Sequence, residues 1–334
     1  MEIKGILVSL LAPFEDHIAN GGEKLLGNAS SIKRRPDGRV YISGQMQRHV
    51  LFSAIDRLNN ADKAKGDTFV SNGDGVTYEV ERDLRADMGG FMHTEEGVGS
   101  KRRTAPLSVT PAVAMSESEI GRDLLMRLKN NTKSKDANEQ AIATREFSQG
   151  DIMRMNFFLD ITSLSISKDY NYEKSFNVGT IYFKHATEAE RKRRAELYLN
   201  ATRLMNDYAN QARNAVCGEP QQVIIVFDTI LSRKASRYYE AGETERANII
   251  KELDERGAQY FIGDDRTENS VLKAYNEALE FLKSNELYTC DSDDSIVTSY
   301  EDVYAKCKDD VKPTKPKKQE KKTDDTPSLF KEHI

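Results

Sequence analysis

VYISGQMQRHVLFSAIDRLNN (residues 40–60) predicts a strand followed at once by a helix. The β-branched and aromatic residues at its start favour a short strand. Ser43 then stands where an N-cap would begin a helix that runs to about residue 60. Apolar side chains recur along this helix at helical spacing, which predicts that it packs on a sheet. They are Met46, Val50, Leu51, Ile55 and Leu58.

Similar patterns predict the elements on either side of this stretch. They are a strand over 3–12, an irregular excursion over 61–100, a long hairpin with its polar tip at 129–140, strands over 155–166 and 176–183 that pair with each other, helices over 188–215 and 268–284, and a strand over 223–231. Without the insertions, the order is strand, helix, strands, helix, strand. That order is typical of an α+β fold with a ferredoxin-like or RRM-like sheet. A parallel α/β fold is disfavoured because the hairpins are long.

Composition excludes several classes of protein. The chain has 334 residues and a formal net charge of −5, and its longest apolar runs are strand-sized. A membrane span needs about 20 apolar residues, and the N-terminus lacks the pattern of a signal peptide, so we expect a cytoplasmic protein without a membrane partner. Its three cysteines form no CxxC pair and its five histidines are scattered. We therefore expect no metal and no cofactor.

Charge is unevenly distributed along the chain. Residues 286–305 carry six acidic side chains and no Lys or Arg, whereas residues 30–50 carry five basic side chains and one Asp. Such a polarised molecule can hold a polyanion on one face, or bind head-to-tail to copies of itself.

The densest group of candidate binding residues lies in 33–49, KRRPDGRVYISGQMQRH. A Ser-Gly pair that opens a helix offers free N–H groups and the positive end of the helix dipole to a phosphate. Basic and amide side chains surround it, which suits binding of a phosphodiester chain without base reading. A solvated basic loop before an ordinary N-cap explains the same pattern, so the charges alone leave both interpretations open. The candidates are Lys33, Arg34, Arg35, Ser43, Gln45, Arg48 and His49.

Further candidates lie outside this segment; the basic ones at 102–103 and 133 are singly more typical of solubilising surface, whereas those at 211–214 are as consistent with surface as with binding. The basic run 191–194 is interpreted as a solvated helix face. Phosphate-binding loops of the GxxxxGK[ST] and GxGxxG kinds do not occur in the sequence, which disfavours nucleotide chemistry. The further candidates are Arg102, Arg103, Lys133, Gln211, Arg213 and Asn214.

The segment around 41–49 resembles the N-terminal signature of the DevR-type autoregulator family. The main match is Tyr41-Ile42-Ser43-Gly44-Gln45-x-x-Arg48-His49, supported by 88–92, 103–111 and 146–161. That family is the Cas-seven superfamily backbone subunit of type I CRISPR Cascade complexes, here of the subtype I-B kind. The resemblance extends over most of residues 1–230.

The resemblance implies a hand-shaped protein with an RRM-like palm. Several copies would stack head-to-tail along a CRISPR guide RNA in an antiviral ribonucleoprotein, beside other Cascade subunits. The guide would then pair with target DNA, since sequence reading in such effectors is delegated to base pairing. The implied parts are palm 1–60, fingers 61–115, thumb hairpin 116–154, second palm part 155–307 and a disordered tail 308–334.

The resemblance also implies which residues bind RNA. Ser43, Gln45, Arg48 and His49 fall where family members contact guide phosphates, and Lys33–Arg35 fit the preceding basic loop. Type III relatives cut RNA with an Asp in the loop before this motif, whereas residues 27–32 here hold no carboxylate. We therefore expect no enzymatic activity. Two alternatives stay open: a metal-dependent endoribonuclease backbone of the type III kind, and an RRM-like RNA-binding protein that acts alone.

Overall fold

The structure is a computed structural model. It describes residues 1–20, 22–24, 29–73, 77–95, 99–130, 138–174, 176–209, 215–290 and 297–303. The predicted tail 308–334 lies outside these residues, and so do residues 291–296 and 304–305 of the acidic stretch 286–305. None of the described helices is both long and apolar enough to cross a membrane.

Strands and helices alternate along the chain. The strands are β1 (Glu2–Ile3), β2 (Gly5–His17), β3 (Glu23–Lys24), β4 (Ala29–Ser31), β5 (Tyr41–Ile42), β6 (Phe91–Glu95), β7 (Gly99–Arg103), β8 (Leu107–Val109), β9 (Ala112–Ala114), β10 (Ile120–Asn130), β11 (Asn138–Asp160), β12 (Ile166–Glu173), β13 (Phe176–Lys184), β14 (Gln222–Asp228), β15 (Gln259–Asp264) and β16 (Glu286–Leu287). The helices are α1 (Gly44–Ala61), α2 (Leu84–Gly89), α3 (Glu188–Arg203), α4 (Glu243–Glu255) and α5 (Val271–Ser284).

The main sheet is built around β2 and β11. Its central order is β15-β14-β2-β11, and each neighbouring pair in it is antiparallel. On the far side of β11, β8 and β9 pair with it, and β5 pairs with β9. The fold is therefore mixed α/β with a largely antiparallel sheet, and the parallel alternative is excluded.

Helices α1, α3 and α5 pack on one face of this sheet, and α4 covers part of the other face. Alternate residues of β2 and β11 point to opposite faces. One set packs under α1, α3 and α5, and includes Val8, Leu10 and Phe157. The other set, including Leu7 and Phe158, packs under α4 and the segment before it. Because both faces are buried at the centre, these strands are almost continuously apolar.

The sequence-based prediction of α1 is confirmed. Ser43 is its N-cap, and the side chains of Val50, Leu51 and Ile55 are fully buried. The predicted long hairpin is present as well: β10 and β11 pair antiparallel from Ile120↔Ser148 to Asn130↔Asn138. The tip, residues 131–137, lies outside the described residues.

Two predicted elements are wrong. The strand predicted over 155–166 ends at Asp160, and β13 pairs with β12 instead of with it, in a separate two-stranded sheet. The helix predicted over 188–215 ends at Arg203. Asn and Asp side chains favour non-helical backbone over a helix interior, and Asn206-Asp207 follows directly. Tyr208 is nevertheless buried, as its apolar spacing predicts, with its ring 5.2 Å from the Phe14 ring.

The boundaries of the predicted insertion also change. Strands β8 and β9 fall inside the predicted fingers 61–115, yet they pair with β11 in the main sheet. The part of that stretch outside the main sheet contains α2 and the two-stranded sheet β6–β7. Helix α4 and strand β15 were missed by the sequence analysis.

Candidate nucleic-acid interface

A tight hairpin carries the basic residues 33–39 into the start of α1. The Arg35 carbonyl accepts a hydrogen bond from the Gly38 N–H at 3.0 Å, which closes a turn with Pro36 and Asp37 at its centre. Gly38 has φ of 79°, a conformation that glycine adopts without steric cost. The Tyr41 N–H donates to the Lys33 carbonyl at 3.3 Å on the returning arm. We call residues 33–41 the basic hairpin.

The basic side chains of this hairpin differ in their exposure and in their protein partners. Arg34 is exposed and lies 3.6 Å from the carboxylate of Glu146, which is itself almost buried on β11. The same carboxylate accepts a hydrogen bond from the Ile32 N–H at 3.3 Å. Glu146 thus ties the basic hairpin to β11. Lys33 and Arg35 are half-buried.

Ser43 begins α1 as a side-chain cap. Its Oγ accepts a hydrogen bond from the Met46 N–H at 3.2 Å and donates one to Asn20 Oδ1 at 3.3 Å. The first turn of α1 contains no acidic residue, so no carboxylate offsets the positive end of the helix dipole. This helix start therefore has the chemistry that binds a phosphate.

Gln45 and His49 extend this surface along α1. Both side chains are exposed. His49 Nε2 lies 3.6 Å from the carboxylate of Asp207, which also accepts a hydrogen bond from Ser53 Oγ at 2.8 Å. The segment that follows α3 therefore runs beside α1. No pattern in the sequence had indicated a role for Asp207.

Arg48 turns away from this surface. Its guanidinium donates to the Gly89 carbonyl at the end of α2 and lies over the Phe52 ring, 5.8 Å from the ring centre. Burial, and then the charge of Arg85, lower the pKa of Arg48. Arg48 thus joins α1 to α2, and its predicted contact with RNA stays a prediction.

The residues of the loop after α3 that were predicted to bind RNA lie outside the described residues. Gln211, Arg213 and Asn214 belong to 210–214. The Ala209 N–H, the last residue before them, donates to the Ala19 carbonyl at 3.3 Å. Tyr208 donates from its hydroxyl to Gln47 Oε1 on α1 at 3.2 Å. The described end of this loop is thus fixed next to the start of α1.

The remaining residues that were predicted to bind RNA differ in their exposure. Arg102 is exposed on β7, and Lys133 lies outside the described residues. The prediction that Arg103 binds RNA is corrected, because its side chain is only 4% exposed. Its guanidinium donates to the carbonyls of Asp87, Ile166 and Ser163, and to the Asp87 carboxylate at 2.5 Å. With its donors used inside the protein, Arg103 has a structural role and cannot reach RNA.

The interpretation of 191–194 as a solvated helix face is also wrong. Arg191 and Arg194 are fully buried. Arg194 Nη1 donates to the Asp87 carboxylate at 2.6 Å, so Asp87 lies between two guanidiniums. Burial alone would raise the pKa of Asp87, but Arg103 and Arg194 hold it below its ordinary value. We call Asp87, Arg103 and Arg194 the interior ion cluster.

A sequence signal for this cluster existed. Arg191 and Arg194 continue the buried stripe of α3, which holds Tyr198 and Ala201, toward its N-terminus at helical spacing. Arg191 donates to the carbonyls of Leu164 and Ile161 at 3.0 and 2.8 Å. Residues 161–165 form an irregular segment between β11 and β12. The five donors of an arginine can satisfy carbonyls in such a segment.

Within the described ranges, no three His, Cys, Asp or Glu side chains come together in a way that would hold a metal ion.

These features define a mixed α/β protein in which a basic hairpin, a capped helix start and the loop after α3 lie side by side. The family model for the CRISPR-associated negative auto-regulator DevR/Csa2 matches residues 20–215, and the chain belongs to this family.

Solved structures are similar to this chain at low identity. A chain of a CRISPR RNA-guided surveillance complex has a TM-score of 0.47 and 15% identity, over 91% of this chain and 99% of that one. A chain of such a complex described as pre-nicking has a TM-score of 0.46 and 13% identity, over 90% and 99%. No curated protein matches the chain.

Proposed function

We propose that this chain is a guide-RNA-binding backbone subunit of a type I CRISPR surveillance complex of the I-B kind. One observation carries the proposal: in a member of this family, the capped start of α1 lies beside the basic hairpin and the anchored end of the loop after α3. Free N–H groups and basic side chains together bind phosphates without reading bases. The guide would thereby keep its bases free for target DNA, in R-loop formation.

Assembly and location are part of the same proposal. Several copies bind head-to-tail along one guide RNA, with other Cascade subunits at the ends, in the cytoplasm, as part of antiviral defence. The sheet supports an RRM-like palm, because β2 lies between β11 and β14 while α1 and α3 pack on one face. The hairpin β10–β11 corresponds to the thumb and the stretch with α2, β6 and β7 to the fingers.

The proposal contains no catalytic step. Asp37, the carboxylate in the turn of the basic hairpin, accepts hydrogen bonds from the Arg39 N–H at 3.2 Å and from Arg39 Nε at 2.7 Å. These bonds give it a role in fixing the turn. If the protein cleaved bound RNA in the presence of a divalent metal, and Asp37→Ala abolished that cleavage, the type III alternative would replace this proposal.

The decisive experiment is to purify the protein from its native host and sequence the nucleic acid that accompanies it. Spacer-bearing RNAs with shared repeat-derived ends would support the proposal. Heterogeneous RNA would favour an RNA-binding protein that acts alone. Protein free of nucleic acid would overturn the proposal.

Variants locate the binding surface. Lys33→Ala and Gln45→Ala should each weaken binding of unrelated guide sequences equally, because phosphate contacts carry no sequence information. Lys251→Ala removes an equivalent exposed charge from α4, where Lys251 lies 3.8 Å from Glu255, and serves as the control. A loss confined to one guide sequence, or one matched by the control, would contradict the assignment.

A further inference from the structure

Two arginines from different elements meet at one carboxylate on the partly covered face of the main sheet. Arg154 Nη2 of β11 donates to Glu240 Oε1 at 2.6 Å, and Arg39 Nη1 of the basic hairpin lies 3.8 Å from the same oxygen. Arg154 Nη1 donates to the Ser236 carbonyl at 3.2 Å, which aims the guanidinium at the turn that carries Glu240. Neither arginine was singled out as a binding residue by the sequence analysis.

The place of Arg154 in the sheet leaves the two arginines partly exposed, with side chains 13% exposed for Arg154 and 26% for Arg39. Arg154 pairs with Leu11 of β2 and with Val113 of β9, and Val113 pairs with Tyr41, so the four side chains form one row on one face. Helix α4 and the segment before it cover part of that face, and Ser236 and Glu240 of this segment lie against Arg154. Ile152, two residues from Arg154 on the same face, is 40% exposed. The row is buried at Val113, which is 2% exposed, and a ligand from solvent would reach Arg39 and Arg154 from the side of the exposed Glu240 turn.

Three guanidiniums meet two carboxylates at this place, because Asp37 lies 2.7 Å from Arg39 Nε and Glu240 lies near Arg39 and Arg154. Burial lowers the pKa of Arg154, Glu240 opposes the shift, and Arg35 and Arg39 lower it further, so three guanidiniums act on one region. Among the described residues, Arg154 Nε is a buried donor with no hydrogen-bond partner. Glu240 is the more exposed member of its ion pair, with its side chain 38% exposed against 13% for Arg154.

We propose that Arg39 and Arg154 form a phosphate-binding site, that Glu240 occupies this site in the free chain, and that a phosphodiester group of bound RNA displaces the Glu240 carboxylate. Carboxylates and phosphates accept the same paired hydrogen bonds from a guanidinium, so one can take the place of the other. Glu240 can rotate into water because it lies on an exposed turn, whereas Arg154 stays fixed to the sheet. The phosphodiester source rests on the proposed function.

Charge-neutral replacement of the carboxylate tests the site. Glu240→Gln should tighten binding of single-stranded RNA about three- to fivefold, the effect of freeing one partly exposed ion pair. It should also steepen the slope of log K against log salt by about 0.7, the value for one further phosphate on a single strand. Glu243→Gln makes the same change of net charge in the exposed first turn of α4 and is the matched control.

Two further variants test whether the tighter RNA binding of Glu240→Gln depends on Arg39 and Arg154. Arg39→Ala in the Glu240→Gln background should remove the gain, and Arg154→Lys should reduce it while keeping a charge in the sheet. If Glu240→Gln and Glu243→Gln tighten binding equally, net charge explains the effect and the proposal is overturned. The proposal also fails if Arg39→Ala leaves the gain intact.

A second probe separates this proposal from the proposed function. Inorganic tripolyphosphate is titrated into the same variants by calorimetry. If the unmodified protein binds no RNA, but Glu240→Gln binds tripolyphosphate more tightly than Glu243→Gln and loses this on Arg39→Ala, the site stands and the proposed function fails. If neither probe distinguishes Glu240→Gln from Glu243→Gln, the site itself is refuted.

Discussion

The interior ion cluster and the basic hairpin place the same residue type in opposite environments. In the cluster, Arg103 and Arg194 are almost fully buried and share the carboxylate of Asp87. In the hairpin, Arg34 has its side chain 42% exposed and lies 3.6 Å from a single carboxylate. Both groups come from runs of adjacent basic residues, so density of charge in the sequence does not separate them.

What separates the two regions is the number of protein acceptors that each guanidinium meets. Arg194 donates to the Val80 and Glu81 carbonyls, and to Asp87, Ser165 and Glu190. A buried charge is tolerated only when such partners replace water. A guanidinium with few partners keeps donors for an external anion. Counting protein acceptors therefore separates arginines that hold the fold from those that can hold a ligand.

Removing the shared carboxylate should break the interior ion cluster. Asp87→Ala leaves two buried guanidiniums without their counter-charge, and we expect a loss of about 3 to 5 kcal/mol in the free energy of unfolding. Urea unfolding followed by circular dichroism measures it. Asp67→Ala is the control, because Asp67 also pairs with an arginine, at 2.8 Å, but is 73% exposed. Equal losses in both variants would show that burial does not distinguish these ion pairs.

The interior ion cluster should also make stability depend on pH through His185. This ring accepts a hydrogen bond from Ser167 Oγ at 2.8 Å and donates one to the Thr298 carbonyl at 2.7 Å, while Ser167 Oγ accepts from Arg103. Burial, and then the charge of Arg103, lower the pKa of His185 from 6.5 to about 4. The neutral ring is therefore the form that fits the folded protein.

The sign of the effect follows from the lowered pKa. Between pH 6.5 and about 4 the unfolded state binds a proton that the folded state does not, so stability falls as pH falls through this window. The total loss from this residue is about 3 kcal/mol and is absent above pH 6.5. Unfolding curves recorded across this pH window should show that the free energy of unfolding falls by about 3 kcal/mol less in His185→Gln than in the unmodified protein. An unchanged slope, or equal flattening in the surface control His49→Gln, would refute the assignment.

At the start of α1, two contributions of Ser43 can be separated. Ser43→Ala removes the cap and should cost about 1 kcal/mol of stability. Ser43→Asp keeps a capping oxygen, so stability should be retained, but its charge repels phosphate and RNA binding should fall. Ser43→Asn keeps the cap without charge and is the control for both measurements. If Ser43→Asp binds RNA as well as Ser43→Asn does, no phosphate lies at this helix start.

Local patterns in the sequence predicted the elements that depend on local chemistry. The N-cap at Ser43, the turn at Gly38 and the apolar stripe of α1 each follow from residue types a few positions apart. The pairing of β10 with β11 follows from two β-prone runs around a polar tip. For the same reason the candidate surface at 33–49 could be located without a structure.

Contacts between distant segments could not be predicted in this way. The helical spacing of Arg194 can indicate that it is buried, but not that its partner is Asp87, more than a hundred residues away. The contact between the Tyr208 and Phe14 rings, 5.2 Å apart, joins segments almost two hundred residues apart in the sequence. Arg154 lies in a strand that the sequence predicts, but its partner Glu240 is 86 positions away. Partners of this kind become visible only with the sheet order.

Arg35 should show the smallest effect on stability and a clear effect on binding. Since Arg35 is only half-buried at the edge of the basic hairpin, Arg35→Ala should change the free energy of unfolding by less than about 0.5 kcal/mol. Loss of one phosphate contact should flatten the slope of log K against log salt by about 0.7 for single-stranded RNA. Arg237→Ala, at an arginine 55% exposed and 3.6 Å from Glu245, controls for net charge. If Arg35→Ala instead destabilises the protein as Asp87→Ala does, the basic hairpin belongs to the fold, and the contrast with the interior ion cluster fails.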